Sequence, residues 1–188
     1  SRGLGDVYKR QIPIPTKSDL GRYSVIETTK QRIMSHHNSK LFVWFCSVFG
    51  KDKSQRAFSE YQVACYSKYY DTMFWQIDET EQIHACKIMQ YNALTGERIK
   101  KPYNHVNWLH KALKLDDFVL RQCLFGLHRI NENPIKTIAI VESEKTALIM
   151  SLYVPDYIWI ATGSKANLKF NLLLPLKHRN IMLFPDKG

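Results

Sequence analysis

One stretch, Thr137 to Leu148 (TIAIVESEKTAL), constrains the fold more than any other part of this chain. Thr137 to Val141 is an uninterrupted β-rich run, the pattern of a parallel strand covered on both faces. Glu142 falls at its C-terminal end, Ser143 can cap the following turn, and Ala147, Leu148, Ser151 and Leu152 recur at helical spacing. In open α/β sheets, ligands collect where strands end and helices begin. Glu142 and Glu144 therefore read as a cation site. The same two acids also suit the positive end of a helix dipole, and the motif alone supports either reading.

The residues that follow weigh on that choice. Tyr157 to Ala161 (YIWIA) is a second strand candidate, closed by Thr162-Gly163-Ser164; Asn180 to Phe184 (NIMLF) is a third, closed by Pro185-Asp186-Lys187-Gly188. Strand and helix in alternation specify a parallel sheet with right-handed crossovers, which puts all three strand ends on one edge. Glu142 and Asp186 then converge although they are far apart in the sequence. Two acids beside a glycine turn suit a hard divalent ion such as Mg²⁺ (or Mn²⁺), which keeps several waters and takes one or two carboxylates plus substrate phosphates.

In order and spacing, VESEKTAL, ATGSKANL and MLFPDKG resemble the toprim domain of primases, topoisomerases and related nucleases. Upstream, CLFGLHRI at Cys123 to Ile130 is similar to the segment preceding the toprim strand in bacterial replicative primases. Phe74 to Ile99 reads as a β-hairpin similar to their basic N-terminal subdomain. The likeness is closest to primase-like toprim proteins of bacterial mobile elements and runs from about Ile12 onward. It implies Glu142 and Asp186 as catalytic acids and metal ligands, with Glu144 as a further ligand or outer-shell acid. It also implies Mg²⁺-dependent nucleotidyl transfer on single-stranded DNA, with nucleotides and other replication or mobilisation proteins as partners. Lys87, Arg98, Lys100 and Lys101 would guide template or nucleotide phosphates, and Lys145 and Lys187, beside the acids, would touch phosphate or balance the local charge. The sequence departs from the family where Gly188 replaces a second aspartate and Thr146 stands where many members carry an acid. A DNA-binding protein that keeps the toprim fold as a scaffold, or a toprim-type nuclease, is therefore the alternative; no tyrosine stands out as a topoisomerase nucleophile.

Composition is consistent with this. At 188 residues and 45% hydrophobic, the chain can bury a core. No apolar run approaches the roughly 20 residues needed to span a bilayer, and a cytoplasmic protein is expected. Ser1 to Gln11 (SRGLGDVYKRQ) lacks the apolar centre of a signal peptide and reads as a translated adapter or assembly junction. Without Arg2, Lys9, Arg10 and Asp6, 24 basic and 16 acidic side chains remain, a surplus of +8. Such a surplus suits a polyanionic partner. The tight cluster Arg98 to Lys101 follows a turn signal, Leu94-Thr95-Gly96-Glu97, and suits either phosphate contact or a solvated hairpin tip. Tyr91, Tyr103, His105 and Trp108 are candidates for base stacking or for half-buried core.

Cys46, Cys65, Cys86 and Cys123 form no CxxC pair, so structural zinc is not expected and buried free thiols are. A zinc module of the kind that precedes many mobile-element primases is not visible. His36-His37 point to different sides of any helix, and His84, His105, His110 and His128 have no carboxylate at ligand spacing. There is no G-x-S-x-G elbow, Walker A loop or G-x-G-x-x-G fingerprint. Phe42, Trp44, Phe45 and Phe49 read as core on a helix from Ser39 to Phe49, packed against a second from Asp52 to Tyr61.

The expected fold is α/β, α+β taken as a whole. Beyond residues 1–11, residues 12–123 hold a helical pair (Asp19 to about Tyr66), a β-rich segment (Phe74 to Ile99) and a short helix (Val106 to Leu115). Residues 124–188 form a toprim-like parallel unit, incomplete at its C-terminus, with Asn131 to Pro134 as a linker.

Overall fold

A computed structural model describes Lys30 and residues 38–66, 69–102 and 104–186. The expectations for residues 1–11, most of the stretch before Asn38, His36, His37, Tyr103, Lys187 and Gly188 lie outside the described residues.

Two helices come first, α1 (Lys40–Phe49) and α2 (Lys51–Glu60). Ser39 starts α1 as its N-cap, its hydroxyl accepting from the Phe42 amide at 3.3 Å. Gly50, at φ +83°, ends α1 and turns the chain into α2, and Asp52 sits in the first turn of α2, where the dipole favours it. Leu41, Phe42 and Phe45 face Ala57 and Phe58, with edge-on ring contacts between Phe42, Phe45 and Phe58.

The helices lie on one face of a four-stranded antiparallel sheet, β1 (Ala64–Tyr66), β2 (Asp71–Ile77), β3 (Ile83–Met89) and β4 (Val106–Trp108), in that order. Alternation along β2 divides its side chains. Phe74 joins the core beneath the helices, while Met73, Trp75 and Ile77 join a second core with Cys86, Ile88, Leu109 and Phe118. The expected hairpin is present, and a Tyr91–Arg98 bridge closes the turn at Gly96. Two details differ. Ala64–Tyr66 was expected in the helical region but pairs with β2, and Val106–Trp108 was expected to be helical but pairs with β3. Of that segment only Leu109–Ala112 is helical (α3), because Val106–Trp108 is paired along the edge of β3.

The rest of the chain is the parallel unit: β5 (Ile138–Val141), α4 (Glu144–Tyr153), β6 (Ile158–Ala161), α5 (Phe170–Leu173) and β7 (Ile181–Leu183). Strand order is β6-β5-β7, with Ile138 level with both Ile158 and Ile181. The fold is thus α+β, with a helical pair, an antiparallel sheet and a parallel sheet. Phe125 adds an antiparallel rung to the outer edge of β6 through two bonds with Ala161, at 2.9 and 3.0 Å. One core runs across the expected boundary at 123/124: Tyr61 stacks on Phe125 and donates its hydroxyl to the Trp159 carbonyl at 2.8 Å, and Phe74 meets Phe125 edge-on. Each of these fully buried side chains contributes on the order of 1.5–3 kcal/mol of transfer free energy. Among the described residues, no helix is long and apolar enough to cross a membrane.

Candidate functional site at the strand ends

Parallel pairing carries the ends of β5, β6 and β7 to one edge, and backbone bonds lock the segments that leave them. The Thr162 amide donates to the Val141 carbonyl (3.0 Å), the Gly163 amide to the Glu142 carbonyl (2.8 Å) and the Phe184 amide to the Ile140 carbonyl (2.9 Å). Between these segments opens a cleft of about 340 Å³, with Glu142, Thr162, Lys165 and Asp186 as its polar lining and Leu168, Leu183 and Phe184 among its apolar lining. Glu142 is half-buried and Asp186 exposed. Among the described residues, neither carboxylate has a hydrogen-bond or ion-pair partner, and Lys165 has none either. Sequence reasoning quoted ATGSKANL without singling out Lys165; the signal was its place just after a strand-ending glycine turn.

Glu144 and Lys87 stand elsewhere than the sequence reading put them. Lys87, on β3, donates to Glu144 Oε1 and to the Gly163 carbonyl, both at 2.9 Å, and the two side chains are 11% and 3% exposed. Alternation along β3 explains this, since Cys86 and Ile88 enter the second core and Lys87 faces the opposite way, toward the parallel unit. Glu144 is thus neutralised by a buried ammonium, and Lys87 is withdrawn from the surface where a phosphate guide would stand. Gly163 makes room for the pair: at φ +74°, a Cβ there would lie 2.8 Å from Glu144 Oε1.

Lys145 is likewise turned inward. It donates to the Gly96 carbonyl at 2.9 Å and lies over the Trp44 ring, 5.3 Å from its centroid. Burial pulls its ammonium below the usual lysine range, against the pull of Glu97. Gly96 must be glycine for the same packing, because a Cβ would fall 2.3 Å from the Trp44 ring. Arg98 is half-buried, with its Nε atom enclosed and unpartnered, while Lys100 and Lys101 are exposed.

The donor set decides what cation the cleft could take. Among the described residues, no group of three or more His, Cys, Asp and Glu side chains is arranged to hold a metal ion. Two unpartnered carboxylates fit a hard ion that keeps most of its waters, and do not fit one caged wholly by protein. The cysteines are free: Cys65, Cys86 and Cys123 are buried, and burial pushes their thiols up. One histidine corrects the sequence reading. His84 Nε2 lies 2.7 Å from Asp78 Oδ2, because the hairpin folds residue 78 back over residue 84. Burial opposes ionisation of Asp78, but bonds from His84, Thr80 and Gln82 outweigh it and hold the carboxyl below its ordinary value. That pair closes a turn.

Residues 39–187 match a family model described as "Domain of unknown function (DUF6371)". No curated protein and no solved structure matches the chain.

Proposed function

The chain belongs to the DUF6371 family, and from that premise we propose that its cleft is a toprim-type divalent-cation site in a primase-like protein. The observation that carries this reading is the pair Glu142 and Asp186, carboxylates without a partner among the described residues that line one cleft at the ends of adjacent parallel strands. Glu142 and Asp186 would hold Mg²⁺ or Mn²⁺, with waters completing the shell. A bound ion of this kind neutralises a triphosphate and activates a hydroxyl nucleophile. Lys165 lines the same cleft without a partner among the described residues, and its ammonium would meet a phosphate oxygen. Exposed Lys100 and Lys101 add to the positive surface that single-stranded DNA would meet.

A second reading is favoured by the burial of Glu144 against Lys87. With that acid withdrawn, the cleft offers fewer ligands than the sequence suggests, as in a DNA-binding protein that keeps the fold as a scaffold.

Calorimetric titration of Mg²⁺ and Mn²⁺ into the chain, Glu142→Gln and Asp186→Asn separates the two. The catalytic-site reading expects uptake that falls at least about tenfold in each variant, with single-stranded DNA binding that weakens as salt rises. DNA binding without metal uptake would leave the scaffold.

A further inference from the structure

We infer that Lys87 and Glu144 are positioning residues, whose buried pair ties the antiparallel sheet to the rim of the cleft and holds Glu142 in place through Gly163. The connection can be followed atom by atom. Lys87 donates to the Gly163 carbonyl at 2.9 Å, and the amide of that same glycine donates to the Glu142 carbonyl at 2.8 Å. The Lys87 ammonium is in turn aimed by Glu144 Oε1, from the first residue of α4. Two residues of the strand-to-helix segment, Glu142 and Glu144, are therefore held through one ammonium that comes from the other sheet.

Stability alone does not account for a charged pair here. Removing both charges from water is expensive, and well-packed apolar side chains of similar volume commonly do as well or better. What an ammonium and a carboxylate supply, and two methyl-bearing side chains cannot, is direction. Here that direction is spent on a turn whose neighbours, Thr162 and Lys165, line the cleft. A second tie runs beside it: Lys145, the next residue of α4, reaches the Gly96 carbonyl in the turn beyond β3. The first turn of α4 is thus fastened to the antiparallel half at two points. A group that orients a ligand's backbone, without touching the ion, acts as outer-shell residues do in metal sites.

The metal arm of the test rests on the cation reading above; the other arms do not. Lys87→Met and Lys87→Met/Glu144→Gln are compared with the parent chain by urea unfolding, by amide hydrogen exchange at Gly163, and by Mg²⁺ and Mn²⁺ titration. Lys87→Met alone leaves a buried carboxylate unpaired and should be destabilised. The double variant carries no charge at this buried pair and should recover most of that stability, yet exchange at Gly163 at least about tenfold faster than the parent and bind metal about 10- to 100-fold more weakly. Recovery of stability, Gly163 protection and metal affinity together would reduce the pair to packing and overturn the inference. If the parent chain takes up no metal, the cation reading fails, and exchange at Gly163 still decides this one.

Discussion

Replacing Gly163 by alanine sets a methyl carbon 2.8 Å from Glu144 Oε1 and 3.4 Å from the Lys87 ammonium. The backbone contributes first: at φ +74° an L-residue costs about 1–2 kcal/mol relative to glycine. The contact adds to it. A carboxylate end on an exposed side chain would swing away freely, but Glu144 is 2% exposed and its oxygen is engaged by Lys87. Any movement that relieves the contact lengthens that bond, and a fully broken buried pair costs about 3–5 kcal/mol. The loss should therefore lie between the backbone cost alone and about 4–7 kcal/mol. Gly50→Ala is the control, since Gly50 also has positive φ, +83°, but no atom within 4 Å of its would-be Cβ. It should lose only about 1–3 kcal/mol. Urea unfolding of both variants, with the slope checked for constancy, gives the difference directly. A Gly163→Ala loss no larger than the backbone cost alone, about 1–2 kcal/mol, would mean that Glu144 and Lys87 are not held tightly around Gly163, and the reasoning about that turn would fail.

Two further outcomes are expected. Tyr61→Phe removes the hydroxyl that donates to the buried Trp159 carbonyl and should cost about 1–3 kcal/mol in urea unfolding. Burial pushes the Tyr61 phenol up to about 12 from 10.0, so its contribution is full below pH 10 and disappears as pH rises through about 12; the phenylalanine variant should lose less stability across that window. His128 is buried, with Nδ1 unpartnered and Nε2 against the Glu60 carbonyl at 3.1 Å, and burial lowers its imidazole from 6.5. The unfolded chain therefore takes up the proton first, and stability present above pH 6.5 is lost as pH falls. His128→Asn should flatten that acid limb, as read from urea midpoints between about pH 8 and about pH 5.

The parallel unit was legible because its strands are near-continuous apolar runs of strand length, IAIV and IWIA, bounded by clear turn and cap signals. From the topology alone, Glu142 and Asp186 had to share an edge, and they line one cleft. The short strands were not legible. Ala64–Tyr66 and Val106–Trp108 carry three residues each, too few for a period, and are strands only because β2 and β3 offer edges. The Lys87–Glu144 pair was hidden for a different reason. The two residues lie 57 positions apart, and which way a lysine on a strand faces depends on a register that no local pattern reveals. Lys145 over Trp44 and His84 against Asp78 were hidden likewise, since each depends on how a turn folds back. The sequence reading gave Lys87 to phosphates and Glu144 to a metal ion or its outer shell, because charged side chains are rarely buried against one another.

The three residues of β7 are 42%, 42% and 52% exposed, far more than those of β5 and β6. This strand supplies one wall of the cleft and leads directly to Asp186, yet it contributes little buried surface of its own. Its docking also closes a long stretch of chain, an entropic cost offset by the backbone ladder to β5 and the packing of Phe184 on Trp159. A ligand engaging Glu142 and Asp186 together would clamp β7 to β5, and its binding free energy would count toward that closure by mass action, about 2.7 kcal/mol at a hundredfold excess over Kd. Occupancy of the cleft and completion of the sheet are then two descriptions of one equilibrium.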